Sequence, residues 1–494
     1  MNKCDIGMIG LGVMGQNLAL NIESKGYSVA VYNRVEENYT REFIEGRAKG
    51  KNIVAAYSLK ELISLLKRPR KMMLMIKAGR PVDSVIEELV PLLDEGDLII
   101  DGGNSFYKDT IRRKGYLSQK KILFIGTGVS GGEAGALLGP AIMPGGSKEA
   151  YNLIKDIFEK ISAKAEDGEP CVSYIGPDGA GHFVKMVHNG IEYADMQLIG
   201  ECVWALKNVL DYNAERIADI MANWNKPSDV LSSYLIEITG NVMREIDKQS
   251  GEYLVDRTAD ITRMKGTGTW TVASALELLV PVPTIAASVF SREMSQDKDL
   301  RLKISNILKK PSLVYSSNPE EFINIAHDAL YIAKISSYAQ GFALMEAASL
   351  KYDWKLDLGQ IARGWRAGCI IRANFLSKIA EEYKNNPKLP NLMAAPSFSK
   401  FISKSIASLS MFTETARSAG VPALAMGSAC DYILQMASPV MVSAQVAALQ
   451  RDYFGAHGYF KLKKDSPEIE LKADGSYQEY HTEWMESGRP EKRL

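Results

Sequence analysis

The chain has 494 residues, of which 46% are hydrophobic and 24% charged. That balance is ordinary for globular protein and excludes a disordered, collagen-like or low-complexity chain; at about 150 residues per domain it predicts two to four domains. Lys+Arg and Asp+Glu each number 59, so the net charge is zero and the basic footprint of a nucleic-acid binder is missing.

The five cysteines, Cys4, Cys171, Cys202, Cys369 and Cys430, are scattered and form no CxxC pair. That argues against a disulfide framework and a structural zinc site. The N-terminus runs straight into a strand pattern without a signal-peptide layout. The most apolar stretch, 278–290, contains Pro281 and Pro283 and is too short to span a bilayer. The expectation is a cytoplasmic protein with no membrane partner.

Along the first third, short β-branched runs alternate with helical patterns. Predicted strands are 5–10, 28–33, 72–77, 98–101, 123–126 and 172–175, and a helix is predicted over 14–25. Such alternation means βαβ units and a parallel sheet. Near residue 180 the rhythm changes to long helical patterns, among them 182–210 and 319–350. The predicted fold is an α/β Rossmann-like dinucleotide-binding domain (1–178), a large all-α substrate and dimerisation domain (179–450), and an extended C-terminal tail (451–494) that must dock on something to be ordered.

The first motif is Gly10-Leu11-Gly12-Val13-Met14-Gly15, a G-x-G-x-x-G between strand and helix. Gly10 permits the tight turn, Gly12 lets a pyrophosphate approach the backbone, and Gly15 lets helix pack on strand. Phosphates then sit at a helix N-terminus, where free N–H groups and the dipole favour anions. The second strand ends in Asn33-Arg34 rather than an acid. A carboxylate there would hold a ribose 2′-hydroxyl, whereas Arg34 suits a 2′-phosphate, so the pattern favours NADP over NAD.

The helix beginning near residue 180 carries acid and base. Lys185, Asn189 and Glu192 are spaced i, i+4, i+7 and share a face that His188 and Tyr193 border. Mostly apolar neighbours make Lys185 and Glu192 candidates for shifted proton affinities. The plain alternative is a solvated Lys–Glu pair. Asn189-Gly190 inside a helix costs propensity, which implies that the backbone there lies close to something. His327 has no evident partner and reads as structural.

Together these and further blocks resemble the 6-phosphogluconate dehydrogenase family over the whole length of the chain. The further blocks are Asp101-Gly102-Gly103-Asn104-Ser105, Gly128-Val129-Ser130-Gly131-Gly132-Glu133, Lys265-Gly266-Thr267-Gly268, Gly368-Cys369-Ile370-Ile371-Arg372 and Arg451-Asp452-Tyr453-Phe454-Gly455-Ala456-His457. The resemblance implies oxidation of 6-phosphogluconate by NADP without a metal, then decarboxylation to ribulose 5-phosphate. Lys185 would be the base and later the acid at C3, and Glu192 would protonate C1 of the enediol. His188 and Asn189 would orient hydroxyls, and Asn104 would touch both substrate and nicotinamide. Ser130, Gly131 and Gly132 would hold the carboxylate. Tyr193, Lys265, Thr267, Arg292 and Arg451 would surround the phosphate, and the loop Ile76-Lys77-Ala78 would cover the cofactor.

In this resemblance Arg451 and His457 come from a tail that enters the partner's site, which implies a homodimer; His481 also matches the tail and is given no chemistry. Three positions depart from the family pattern. Val35 stands where a hydroxyl is usual, Thr269 replaces a lysine, and Ala134 replaces a glutamate. Two other readings compete: a β-hydroxyacid dehydrogenase that does not decarboxylate, and a catalytically silent nucleotide-binding protein. Intact Lys185, Glu192 and glycine motif weigh against the second, and the Lys265 and Arg451 blocks against the first.

Overall fold

The computed structural model describes residues 3–34, 37–312 and 314–494. The N-terminal elements run β1 (Ile6–Ile9), α1 (Val13–Ser24), β2 (Val29–Tyr32), α2 (Glu37–Glu45), β3 (Ile53–Ala55), α3 (Leu59–Ser64), β4 (Lys71–Leu74), α4 (Arg80–Leu89), β5 (Leu98–Asp101), α5 (Tyr107–Ser118), β6 (Leu123–Ser130), α6 (Gly132–Leu138), β7 (Ala141–Gly146) and α7 (Lys148–Ile161). They form one seven-stranded sheet of order β3-β2-β1-β4-β5-β6-β7. Pairing is parallel from β3 to β6, and β7 closes the edge antiparallel to β6.

Strand residues alternate between two apolar layers. Ile6, Met8, Val31, Ile100 and Ile125 pack with Leu18, Ile22 and Phe158 on one face. Ile9, Ala30, Leu74, Ile99 and Phe124 pack with Leu62, Val85 and Leu117 on the other. Burial on both faces is what makes these strands read as nearly continuous apolar runs.

Two predicted features are corrected here. The stretch 172–175 makes no ladder; it lies beside β7 in isolated bridges, with Ile142 N–H donating to Cys171 O and Ile175 N–H to Pro144 O. Strands β3 and β7, absent from the sequence prediction, complete the sheet. β7 reads Ala-Ile-Met-Pro-Gly-Gly, and a proline with two glycines carries no strand signature.

The helical elements are α8 (Ala180–Val209), α9 (Ala214–Trp224), α10 (Tyr234–Arg244), α11 (Leu254–Arg257), α12 (Thr267–Glu277), α13 (Pro283–Gln296), α14 (Lys298–Ser305), α15 (Pro319–Tyr352), α16 (Leu358–Gly364), α17 (Phe375–Asn385), α18 (Pro396–Ser418) and α19 (Leu424–Met436). Among the described residues, none is long and apolar enough to cross a membrane. His327 does have partners: Nε2 lies 3.0 Å from Asp229 Oδ1 and Nδ1 lies 3.1 Å from Asp328 Oδ1. The ring also meets Trp224 edge-on, so its role stays structural.

Two compact units are present, Met1–Ala429 and Cys430–Leu494, and the division falls within α19. The second unit holds α20 (Val442–Gly455), β8 (Tyr459–Phe460), β9 (Glu479–Thr482) and β10 (Glu491–Arg493). These strands form an antiparallel sheet of order β10-β9-β8. The tail therefore departs from the extended segment predicted: it has hydrogen-bonded structure of its own, and Arg451 lies in the last turn of α20.

In the first unit, α8 sits against β6 and β7 at backbone distance. A Cβ on Gly145 would lie 2.2 Å from Gly181 N, and one on Gly181 would lie 2.4 Å from Met143 O. A Cβ on Gly128 would lie 2.4 Å from Cβ of Lys185. Neither backbone can yield, so Gly145→Ala should lower unfolding stability by about 2–3 kcal/mol, as overpacked cores do. Gly200, in the same α8, is exposed with open space at its Cβ, so Gly200→Ala should raise stability by about 0.5–1 kcal/mol. Chemical denaturation of both variants against the parent chain checks the pair.

Candidate active site

The glycine turn divides the work among its glycines. Gly10 has φ +99°, and a Cβ there would lie 2.5 Å from Met75 O; a Cβ on Gly15 would lie 1.9 Å from Gly10 O. The fold itself demands both. Gly12 is exposed and extended, and among the described residues nothing lies within 4 Å of a built Cβ. Its missing side chain serves no packing purpose and leaves clear space in front of α1. No side chain caps that helix and no acid stands in its first turn, so its N–H groups face outward for an anion.

Leu11 is buried, Met14 half-buried, and Val13 is 55% exposed. Asn33 Oδ1 accepts from Leu11 N–H at 3.1 Å, tying the end of β2 to the turn. Arg34 is half exposed and pairs with Glu88 at 2.8 Å, a surface contact worth only about 0–1 kcal/mol and readily exchanged. Val35 lies outside the described residues.

Two loops face this turn. Ile76, Lys77 and Ala78 follow β4, with Ile76 against Gly10 and Lys77 exposed. Asn104 is exposed on the loop after β5. Asp101 fastens that loop, accepting from Gly103 N–H at 3.2 Å, Ser105 Oγ at 2.7 Å and Arg113 Nη1 at 3.2 Å. Arg113 is fully buried and also bonds Asp83 and Gly79 O, so one guanidinium links both loops. Sequence reasoning gave Asp101 and Arg113 no role; the only trace was the acid opening the Asp-Gly-Gly-Asn-Ser block.

The catalytic candidates converge on α8. Lys185 is 6% exposed, which removes the solvated-pair alternative. Its Nζ donates to Asn189 Oδ1 and lies 3.4 Å from His188 Nδ1. His188 Nε2 is 3.2 Å from Ser130 Oγ, its Nδ1 is 3.7 Å from Glu192 Oε2, and its ring meets Trp365 edge-on.

Burial pushes the Lys185 ammonium below the ordinary lysine range, opposed by Glu192 and Cys369. Burial raises the Glu192 carboxyl, opposed by Lys185, Arg292 and Lys265 and reinforced by Asp195. Burial and Lys185 hold His188 well below the usual histidine range. Both shifts run toward a neutral amine and a protonated carboxyl, the states a base and an acid need. Asp195 itself is matched by Lys334 of α15 in a fully buried 2.6 Å pair. Sequence reasoning missed both residues, because an i+3 acid and a lysine inside an apolar run carry no local signal.

Gly190 meets Thr271 of α12, whose Cγ2 would be 2.6 Å from an added Cβ. That is the close neighbour implied by Asn189-Gly190. One step on, Gly268 lies against Tyr193, with its built Cβ 2.8 Å from the ring. The Arg292 guanidinium stacks 3.5 Å over the other part of this contact, the Tyr193 ring centroid.

Thr267 is buried at the head of α12, while Lys265 is exposed beside it. Neither Arg292 nor Lys265 forms an ion pair among the described residues, so both cations remain available to an anion. Ser130, Gly131 and Gly132 turn the chain from β6 into α6. Gly131 has φ +126°, and Gly368 O would be 2.4 Å from its Cβ. Ile370 N–H donates to Ser130 Oγ at 3.4 Å, so the Gly368 block backs this turn. Arg451 and His457 belong to the second unit, where both are exposed.

A Rossmann-like sheet opening on a ligand-ready glycine turn, joined to a helix with a buried lysine and a half-buried glutamate, defines a dinucleotide-dependent dehydrogenase. The chain belongs to the 6-phosphogluconate dehydrogenase family. The NAD binding domain of 6-phosphogluconate dehydrogenase matches residues 5–176, and the 6-phosphogluconate dehydrogenase C-terminal domain matches residues 181–484. The NADP(+)-dependent, decarboxylating 6-phosphogluconate dehydrogenase of Bacillus subtilis (strain 168) is 50% identical over 486 residues, 98% of this chain and all of that one (100%). The decarboxylating enzyme of Escherichia coli (strain K12) is 48% identical, again over 98% and 100% of the two chains. The solved Plasmodium falciparum 6-phosphogluconate dehydrogenase, described apo, with its cofactor NADP+ and with its substrate 6-phosphogluconate, has a TM-score of 0.90. It is 42% identical and covers 97% of this chain and 100% of its own.

The glycine turn yields a direct test. Gly12→Ala should leave the unfolding midpoint of the cofactor-free chain unchanged and weaken dinucleotide binding about tenfold or more, since a methyl group displaces the phosphates. Gly15→Ala should lower the midpoint as well. Denaturation and cofactor titration by fluorescence distinguish the two.

Proposed function

We propose that this protein catalyses the NADP-dependent oxidative decarboxylation of 6-phospho-D-gluconate to D-ribulose 5-phosphate, carbon dioxide and NADPH, in the cytoplasm. The observation that carries the reading is the buried Lys185, held toward its neutral form about two helical turns from a Glu192 held toward its protonated form. Full-length identity of 50% to an enzyme named for this reaction supports it, and disfavours a non-decarboxylating hydroxyacid dehydrogenase.

NADP, when bound, supplies the hydride acceptor. The glycine turn 10–15, Asn33, Arg34, Val35, the loop 76–78 and Asn104 would hold it. Neutral Lys185 takes the proton of the substrate's 3-hydroxyl as the C3 hydride leaves. The lysine, now an ammonium, donates to the 3-keto oxygen while the bond between C1 and C2 breaks and carbon dioxide departs. The electrons of that bond form the enediol; Glu192 then delivers its proton to the former C2, which becomes C1 of the product, while Lys185 takes back the proton from the oxygen on the former C3, leaving the ketone of the product. Asn189 and His188 orient the lysine and the substrate hydroxyls.

The substrate is anionic at both ends, and the residues fit both. Ser130, Gly131 and Gly132 offer a hydroxyl and bare backbone N–H groups to the carboxylate. Tyr193, Lys265, Thr267 and Arg292 offer two unpaired cations and two hydroxyls to the phosphate. The protein acts as a homodimer in which the partner's Arg451 and the partner's His457 complete each site.

A coupled assay tests this reading. NADPH and carbon dioxide should appear in equal amounts, faster with NADP than with NAD. Lys185→Met should lower kcat by about 10³-fold or more, and Glu192→Gln by about 10²-fold, with little change in cofactor KM. NADPH without carbon dioxide would overturn it.

A further inference from the structure

The second unit is organised around one buried carboxylate. Asp452 follows Arg451 in the last turn of α20, and its side chain is fully buried. Each of its oxygens accepts twice. Oδ1 takes Gly458 N–H at 2.9 Å and His481 Nδ1 at 2.8 Å. Oδ2 takes Thr482 N–H at 3.1 Å and Trp484 Nε1 at 2.8 Å. A carboxylate has about four lone-pair sites, and here all are occupied.

The donors come from two separated stretches of the tail. Gly458 closes the turn after α20, while His481, Thr482 and Trp484 belong to β9 and the residues beyond it. In that turn Ala456 (φ +50°) and Gly458 (φ +72°) are both left-handed, and His457 stands between them. A Cβ on Gly458 would meet Glu479 Oε1 at 2.5 Å, so β9 also limits this turn. Trp484 in addition lies against Tyr453, the next residue of α20. Asp452 thus fixes the backbone on either side of His457 and immediately after Arg451, while both of those side chains stay exposed.

We propose that Asp452 is a positioning residue for 6-phosphogluconate: it touches no substrate, and by clamping the turn and β9 to the end of α20 it sets where Arg451 and His457 present their charge. The inference rests on the reading of Arg451 and His457 as substrate-binding residues. Asp452→Asn is the sharpest variant because it keeps the shape. Its amide nitrogen must face two N–H donors, so two of the four bonds are lost and become repulsive contacts.

The experiment is a double-mutant cycle on the full-length enzyme. Asp452→Asn should raise KM for 6-phosphogluconate about tenfold, with KM for NADP unchanged and kcat altered far less. In an Arg451→Ala/His457→Ala background the same change should add almost nothing to KM. Trp484→Phe, which removes one donor and keeps a ring against Tyr453, should act in the same direction and less strongly; it carries the test if Asp452→Asn does not fold. An equal KM penalty in both backgrounds, or a KM unmoved by Asp452→Asn and Trp484→Phe while Arg451→Ala raises it, overturns the proposal alone. A KM unmoved by Arg451→Ala and His457→Ala overturns the underlying reading and the proposal with it.

Discussion

Helix α8 approaches β6 and β7 more closely than any side chain would permit, and the site depends on that approach. Four glycines make it possible: Gly126 faces the His182 ring, Gly128 faces the Lys185 stem, and Gly145 and Gly181 meet backbone to backbone. A helix packed on a sheet normally stands off by the thickness of two side-chain layers. Here the first turns of α8 sink into the sheet edge, and Lys185 goes with them. The lysine is dry because its backbone is placed there, and the shift of its proton affinity follows from that burial.

The same placement decides the neighbours. β6 ends at Ser130, so the helix that carries Lys185 also brings His188 to within 3.2 Å of that hydroxyl. Gly190 and Gly268 repeat the device on the far side: Gly190 of α8 admits Thr271 of α12, and Gly268 of α12 admits Tyr193 of α8. Tyr193 in turn supports Arg292, whose charge is stacked on a ring rather than neutralised by an acid. Among the described residues Arg292 and Lys265 form no ion pair, whereas Arg113 is paired with Asp83 and Asp101, and Lys334 with Asp195. Asp195 also reinforces the burial that raises the Glu192 carboxyl.

Much of this was legible in the chain, for identifiable reasons. The glycine turn, the parallel strands and the change to helices near residue 180 are local patterns, and periodicity reports them. The face shared by Lys185, Asn189 and Glu192 follows from helical spacing alone. Strand β7 was not legible, because Pro144 and two glycines break its pattern and its pairing with β6 is long-range. The buried carboxylate hubs were not legible either. Asp101 and Asp452 look like any surface acid until the chain folds four donors or a guanidinium around them, and His327 finds Asp229 nearly a hundred residues away. The tail misled for a related reason: its polar composition suggested an extended segment, yet Asp452 and a short antiparallel sheet give it order.

The central claim is that burial by α8 lowers the proton affinity of Lys185, toward the form a base requires. Its ionisation can be read directly by NMR of the labelled lysine ε-position in the full-length enzyme, assigned by loss of the signal in Lys185→Met. The account predicts a titration below the ordinary lysine value of about 10.4. A Lys185 that titrates at or above it would contradict the account.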